Sequence, residues 1–108
     1  MHNFTKIYGE TTIDKETEEE PKTIKLKYYK TKDKLLSKNE KQYGIGVIKT
    51  EIGIHELNEE KQEINHICKR KEEVENLLSI LLRNKVTPIH LKYILEDFDA
   101  KWEKEHLL

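Results

Sequence analysis

The strongest constraint on this chain is a change of hydrophobic period near residue 70. Val74, Leu77, Leu78 and Leu81 recur at i, i+3, i+4 and i+7, the spacing that puts apolar side chains on one face of an α-helix. Ile80 and Leu82 widen the stripe, which predicts a helix held between two neighbours. Glu72, Glu73 and Glu75 suit the positive end of its dipole, although Lys69–Arg70–Lys71 before them does not, and no strong N-cap precedes it. Asn84 is the expected C-terminal stop, with Arg83 and Lys85 complementing the dipole there. A second helix starts at Thr87 as N-cap with Pro88 at N1, where the missing N–H costs nothing. Its stripe is Leu91, Ile94, Leu95, Phe98 and Trp102.

Upstream, the period is two. Ile24, Leu26 and Tyr28 alternate with Lys25, Lys27 and Tyr29, which predicts one apolar face and one basic, aromatic face over Thr23–Lys32. Phe4, Ile7, Tyr8 and Thr11 to Ile13 favour an earlier extended segment, with Asp14 to Pro21 as a charged loop. Thr31 to Glu40 reads as a polar connection in which Leu35–Leu36 has no assigned place. In Gln42–Ile52, Tyr43, Ile45 and Val47 share a face, and Gly44 and Gly46 fall on the other, which predicts a bulge or a close approach such as a helix lying there. Gly53 turns the chain into a return strand ending at Ile64–Ile67. The connections are too short for parallel crossovers. The expectation is therefore one α+β domain over residues 1–108: a small antiparallel sheet of three to four strands within 3–67, then a two-helix hairpin, about 70–84 and 88–103, packed on one face.

The series from Tyr43-Gly44-Ile45 through Val74, Leu77-Leu78, Leu81 and Asn84 to Val86-Thr87-Pro88-Ile89-His90-Leu91 and Glu96-Asp97-Phe98 resembles a small family. Its members are proteins of unknown function in clostridia and related low-GC Gram-positive bacteria. The resemblance covers roughly Tyr28 to Phe98, and Val86–Leu91 followed by Glu96–Phe98 is its most specific part. The chain departs from the pattern where the family tends to carry a Ser or Asp cap before the first helix, and in its longer tail, Asp99–Leu108. The resemblance implies a small cytoplasmic bacterial protein and carries over no activity, cofactor or catalytic residue.

Charge bounds the functional classes. The 20 basic and 21 acidic residues leave a net charge of −1, so no global field draws the chain to nucleic acid or membrane. The charges are nevertheless blocked: Glu10–Glu20 is acidic, Lys22–Lys41 carries eight Lys against Asp33 and Glu40, and Glu96–Glu105 is acidic again. One cysteine, Cys68, excludes an intrachain disulfide and fits a reducing cytoplasm. No apolar run has the ~20 residues of a membrane span, and MHNFTKIYGE lacks the plan of a signal peptide.

Catalysis needs a nucleophile, base and orienting group that converge. Cys68, five His and two Ser stand in no such context, so no catalytic residue, enzyme activity or small-molecule substrate is expected. His66 and Cys68, two apart on a strand, with His55 or His90 as a third ligand, fall short of the four paired ligands of structural zinc; no metal or cofactor is expected. His90 at N3 of the second helix can bond toward the cap. The best binding candidate is Lys25, Lys27, Tyr29, Lys30 and Lys32, a basic ribbon with an aromatic that suits a phosphate backbone, although lysines also guard exposed strands. The helical hairpin fits DNA recognition poorly, because its second helix offers Glu96, Asp97 and Asp99. Trp102 and Leu107 are the expected protein interface. The leading expectation is a non-enzymatic regulatory or protein-interaction module, self-association included; the alternative is a DNA-binding accessory protein using the lysine-rich strand pair 22–41.

Overall fold

A computed structural model describes residues 3–16, 21–91, 93, 94 and 96. Four strands run β1 (Asn3–Glu16), β2 (Pro21–Asp33), β3 (Tyr43–Ile52) and β4 (Leu57–Cys68), followed by helix α1 (Lys71–Arg83). The sheet is an antiparallel meander in the order β1-β2-β3-β4. Residues 88–91, 93, 94 and 96 are also helical, so the fold is α+β with a long and a short helix after the sheet.

Cross-strand register sorts the side chains into two faces. On one, Tyr28 lies opposite Val47, Lys30 opposite Ile45, and Ile24 opposite Ile13. This face takes the helices: Ile24, Leu26, Tyr28, Ile45 and Val47 form one core with Val74, Leu77, Leu78, Leu81, Val86 and Leu91. Leu26, Tyr28, Leu78 and Leu81 are each fully buried. Tyr28 also donates its hydroxyl to the Val86 carbonyl at 2.8 Å, tying the segment after α1 to the centre of the sheet. Burial pushes the Tyr28 phenol up to about 12.

Both ends of α1 follow from local chemistry. Arg70 is the N-cap, extended and without a side-chain cap bond. At the other end Val86 N–H donates to the Leu81 carbonyl at 3.0 Å and Lys85 N–H to the Leu82 carbonyl at 3.2 Å. That pattern is a Schellman closure with Lys85 left-handed at φ 52. Thr87 begins the next helical segment: its carbonyl accepts from His90 N–H and Leu91 N–H.

Several expectations are corrected. Asp14, Lys15, Glu16 and Pro21 are not loop: β1 reaches Glu16 and Pro21 opens β2 opposite it. Proline is tolerated at the first position of a strand. The connection after β2 likewise starts beyond Asp33, and β4 ends at Cys68. Helix α1 rests on the sheet and shares its core with Val86 and Leu91, and among the described residues Ile80 stays 43% exposed. The face of Gly44 and Gly46 is the one opposite the helices, so what approaches these glycines is not a helix. The helix instead approaches Gly9, where an added Cβ would sit 2.8 Å from Leu82 Cδ2. β2 is an inner strand paired on both sides, so its lysines guard no edge. Leu95, Phe98, Trp102 and Leu107 lie outside the described residues.

Candidate functional site

The five sequence candidates divide between the two faces. Lys25 and Lys27 are exposed on the face without helices, and Tyr29 shares that face but is only 1% exposed. Its ring lies over Gly46, directly across the ladder, in space that any side chain at 46 would fill. Tyr29 donates its hydroxyl to Glu63 Oε1 at 2.8 Å, and Lys61 sits 5.6 Å from its ring centre. Asn65 Nδ2 donates to the other oxygen of Glu63 at 3.2 Å, and Thr31 Oγ1 donates to Asn65 Oδ1 at 2.6 Å. The two glycines of β3 thus form a trough across which β2 and β4 side chains meet. Burial, and then the Glu63 hydrogen bond, push the Tyr29 phenol upward. A ring covered in this way offers no face for a nucleobase, so the aromatic half of the proposed ribbon serves the sheet.

Lys30 and Lys32 point to the helix face. Lys30 is buried and bonds Glu75 of α1 at 3.0 Å. That bond holds the Glu75 carboxyl below its ordinary value. Lys32 lies over the Tyr43 ring at 5.7 Å. Spacing already carries this split, because Lys30 and Lys32 are out of phase with Lys25 and Lys27 in a period-two strand.

Lys32 joins residues the sequence reading did not assemble. At the β2–β3 end of the sheet, a shallow open cleft of about 540 Å³ is lined by Phe4, Lys32, Lys34, Leu36, Ser37, Lys38 and Gln42. Lys34 lies over the Phe4 ring at 5.7 Å. The nearby carboxylates are held elsewhere. Asp33 accepts the Leu35 N–H through Oδ1 at 3.0 Å and pairs His66 Nε2 through Oδ2 at 3.0 Å. Glu40 Oε1 accepts both the N–H and the hydroxyl of Ser37 at 3.2 Å. Among the described residues, Lys32, Lys34 and Lys38 make no ion pair with a carboxylate. The signal in the sequence was the density of lysine after Asp33; the convergence with Phe4 came from the β1–β2 register, which sets Phe4 opposite Lys32.

The meander also gathers lysine at one end of the sheet. Lys32, Lys34, Lys38 and Lys41 lie at the end where β4 enters α1 through Lys69, Arg70 and Lys71. Toward the opposite end, around the β3–β4 turn, charge is mixed: Glu51, Glu56, Glu59 and Glu60 lie there with Lys22, Lys25 and Lys49, and Lys22 pairs Glu51 at 3.5 Å.

The other candidates stay apart. His66 and Cys68 do not share a face: the β3–β4 register shifts between Tyr43/Cys68 and Ile45/Ile64, and His66 adopts φ 60 in that bulge. His66 turns out to Asp33, while Cys68 is buried in the core. Among the described residues no three His, Cys, Asp or Glu are grouped to hold a metal. His90 bonds its neighbour, with Nδ1 2.7 Å from Thr87 Oγ1. Among the described residues, no helix is long and apolar enough to cross a membrane.

A family model described as a family of unknown function (DUF6514) matches residues 8–101. The chain belongs to this family. The family's span takes in all of β2, β3, β4 and α1, and so the lysines of the cleft, the glycine trough and the Thr87–Leu91 start; Phe4 precedes it. No curated protein and no solved structure matches the chain.

Proposed function

We propose that the chain is a non-enzymatic regulatory module of a bacterial cytoplasm, of clostridia and related Gram-positive bacteria, that works by binding another protein. The observation that carries this reading is a lysine-lined cleft gathered at one end of a nearly neutral molecule. A local field of this kind steers association and chooses partners more than it adds affinity. The single cysteine is buried, which suits a reducing compartment. Affinity capture from host extract with the full chain, beside a Lys32→Glu/Lys34→Glu/Lys38→Glu variant, tests the reading. A specific protein should be retained at low salt and lost in the variant. Capture that is identical for the two, or absent together with a monomeric chain at high concentration, counts against it.

A second reading, a DNA-binding accessory protein, has Lys25 and Lys27 adjacent on the exposed face in its favour. Glu10 opposite Lys27 and Glu59 opposite Thr50 set acid on that same face. A gel shift with Lys25→Glu/Lys27→Glu decides it. Lys30 is left intact, since reversing it would break its bond to Glu75 rather than report on DNA. Retardation that vanishes with salt and in the double variant would favour this reading.

A further inference from the structure

We propose that the cleft between the first strand and the β2–β3 connection binds a single phosphate group carried by a phosphorylated protein segment. This rests on the reading of the chain as a protein-binding module and names the chemistry of what it binds.

Three lysines line this cleft. Lys32 and Lys34 lie over the rings of Tyr43 and Phe4, and Lys38 completes the lining. Like charges gathered on one cleft repel one another, and the two local acids, outnumbered, direct their oxygens elsewhere. Asp33 is committed to the turn and to His66, and Glu40 closes the loop around Ser37. These acids instead fix the loop that presents Lys34 and Lys38. The order that a ligand would otherwise have to impose is partly in place beforehand, which lowers the cost of binding.

A phosphate monoester carries about −1.5 to −2 charges at neutral pH and offers three acceptor oxygens. Lysine binds such a group as a point charge. A carboxylate, with one charge, would leave most of the lysine charge unanswered. The exposed part of Phe4, 43% of its surface, provides an apolar wall for the residue beside the phosphate. A nucleic acid fits less well because its phosphates need a continuous basic track. The exposed lysines Lys25 and Lys27 lie on the opposite face of the sheet from Lys32 and Phe4, so they do not continue the cleft as a track. The ring of Tyr29, which could have stacked a base, is covered.

The test is a titration of the full chain followed by backbone amide NMR. The probes are inorganic phosphate, N-acetyl-phosphoserine amide, and the unphosphorylated serine compound at matched ionic strength. Saturable shifts confined to residues 32–42 and to β1 near Phe4 are expected with both phosphate probes and not with serine. Lys34→Glu/Lys38→Glu should weaken binding by about tenfold or more while the rest of the spectrum and the melting profile stay unchanged. Both lysines lie outside the buried core, so the variant reports on the cleft rather than on folding. The proposal is overturned if chloride reproduces the shifts, or if they persist in the variant. It is also overturned if a single-stranded oligonucleotide binds more tightly than phosphoserine amide, with shifts running on to Lys25 and Lys27. Failure here is separable from failure of the protein-binding reading, since a partner can still be captured and lost on charge reversal without any phosphate.

Discussion

At the scale of the residue, Gly46 and Tyr29 explain each other. An alanine at 46 would force the Tyr29 ring out of the space it fills and away from Glu63. Gly46→Ala should therefore cost about 1–3 kcal/mol, the usual range for overpacking, measured by urea denaturation. Gly9→Ala meets only the mobile methyl end of Leu82 and should cost clearly less. Cost in the opposite order would refute the trough. Two buried tyrosines also set an alkaline limit. Their phenols are raised in the folded state, Tyr28 to about 12, against 10.0 for the free group. The unfolded chain loses these protons first, so this contribution is intact below pH 10 and lost as pH rises through the folded values. Stability should fall by up to about 1.4 kcal/mol per pH unit for each tyrosine in that window. Tyr28→Phe should flatten the slope, and an unchanged slope would remove burial as its cause.

At the scale of the element, α1 is held by packing more than by its ends. Its cap, Arg70, makes no side-chain bond to the first turn. Arg70→Asp should stabilise the protein by about 0.5–2 kcal/mol, through a cap and a favourable charge at the dipole's positive end. Lys85 bears a left-handed backbone that a glycine would adopt without Cβ strain, so Lys85→Gly should add about 1 kcal/mol. Thermal melts of the two single variants and their double check this, and the double should be close to additive because the sites lie at opposite ends of the helix. Much of α1 was legible beforehand. Val74, Leu77, Leu78 and Leu81 are buried as their spacing required, Asn84 is the C-cap, and the weak start at Arg70 is real. The left-handed backbone of Lys85 was not legible, because nothing in its side chain marks a positive φ.

At the scale of the whole molecule, a four-stranded meander leaves two edges, β1 and β4. The bulge between Ile7 and Gly9 interrupts β1, and Asn58, Glu59, Glu60, Lys61, Gln62 and Glu63 line β4, most of them charged. Both devices discourage strand addition by another copy. Glu59→Thr/Lys61→Val/Glu63→Thr should therefore raise light scattering on storage or heating. A triple variant that stays monodisperse would show that charge is not what guards this edge. The lysine cleft belongs to this scale as well, since Phe4 and Lys38 meet only after two hairpins have closed.

The chain by itself determined the element types and their order. Period two at Ile24–Leu26–Tyr28, the stripe from Val74 to Leu81 and the Thr87–Pro88 start are relations among residues a few positions apart, and backbone geometry converts them directly into faces and ends. The tertiary structure decided everything that depends on register. It put Tyr29 over Gly46, carried Lys30 to Glu75, turned His66 away from Cys68 in a bulge, and brought Phe4 to Lys34. The physical reason is that a cross-strand neighbour is chosen by how whole hairpins bury their apolar faces, and a one-residue slip would exchange every contact on both sides of the sheet.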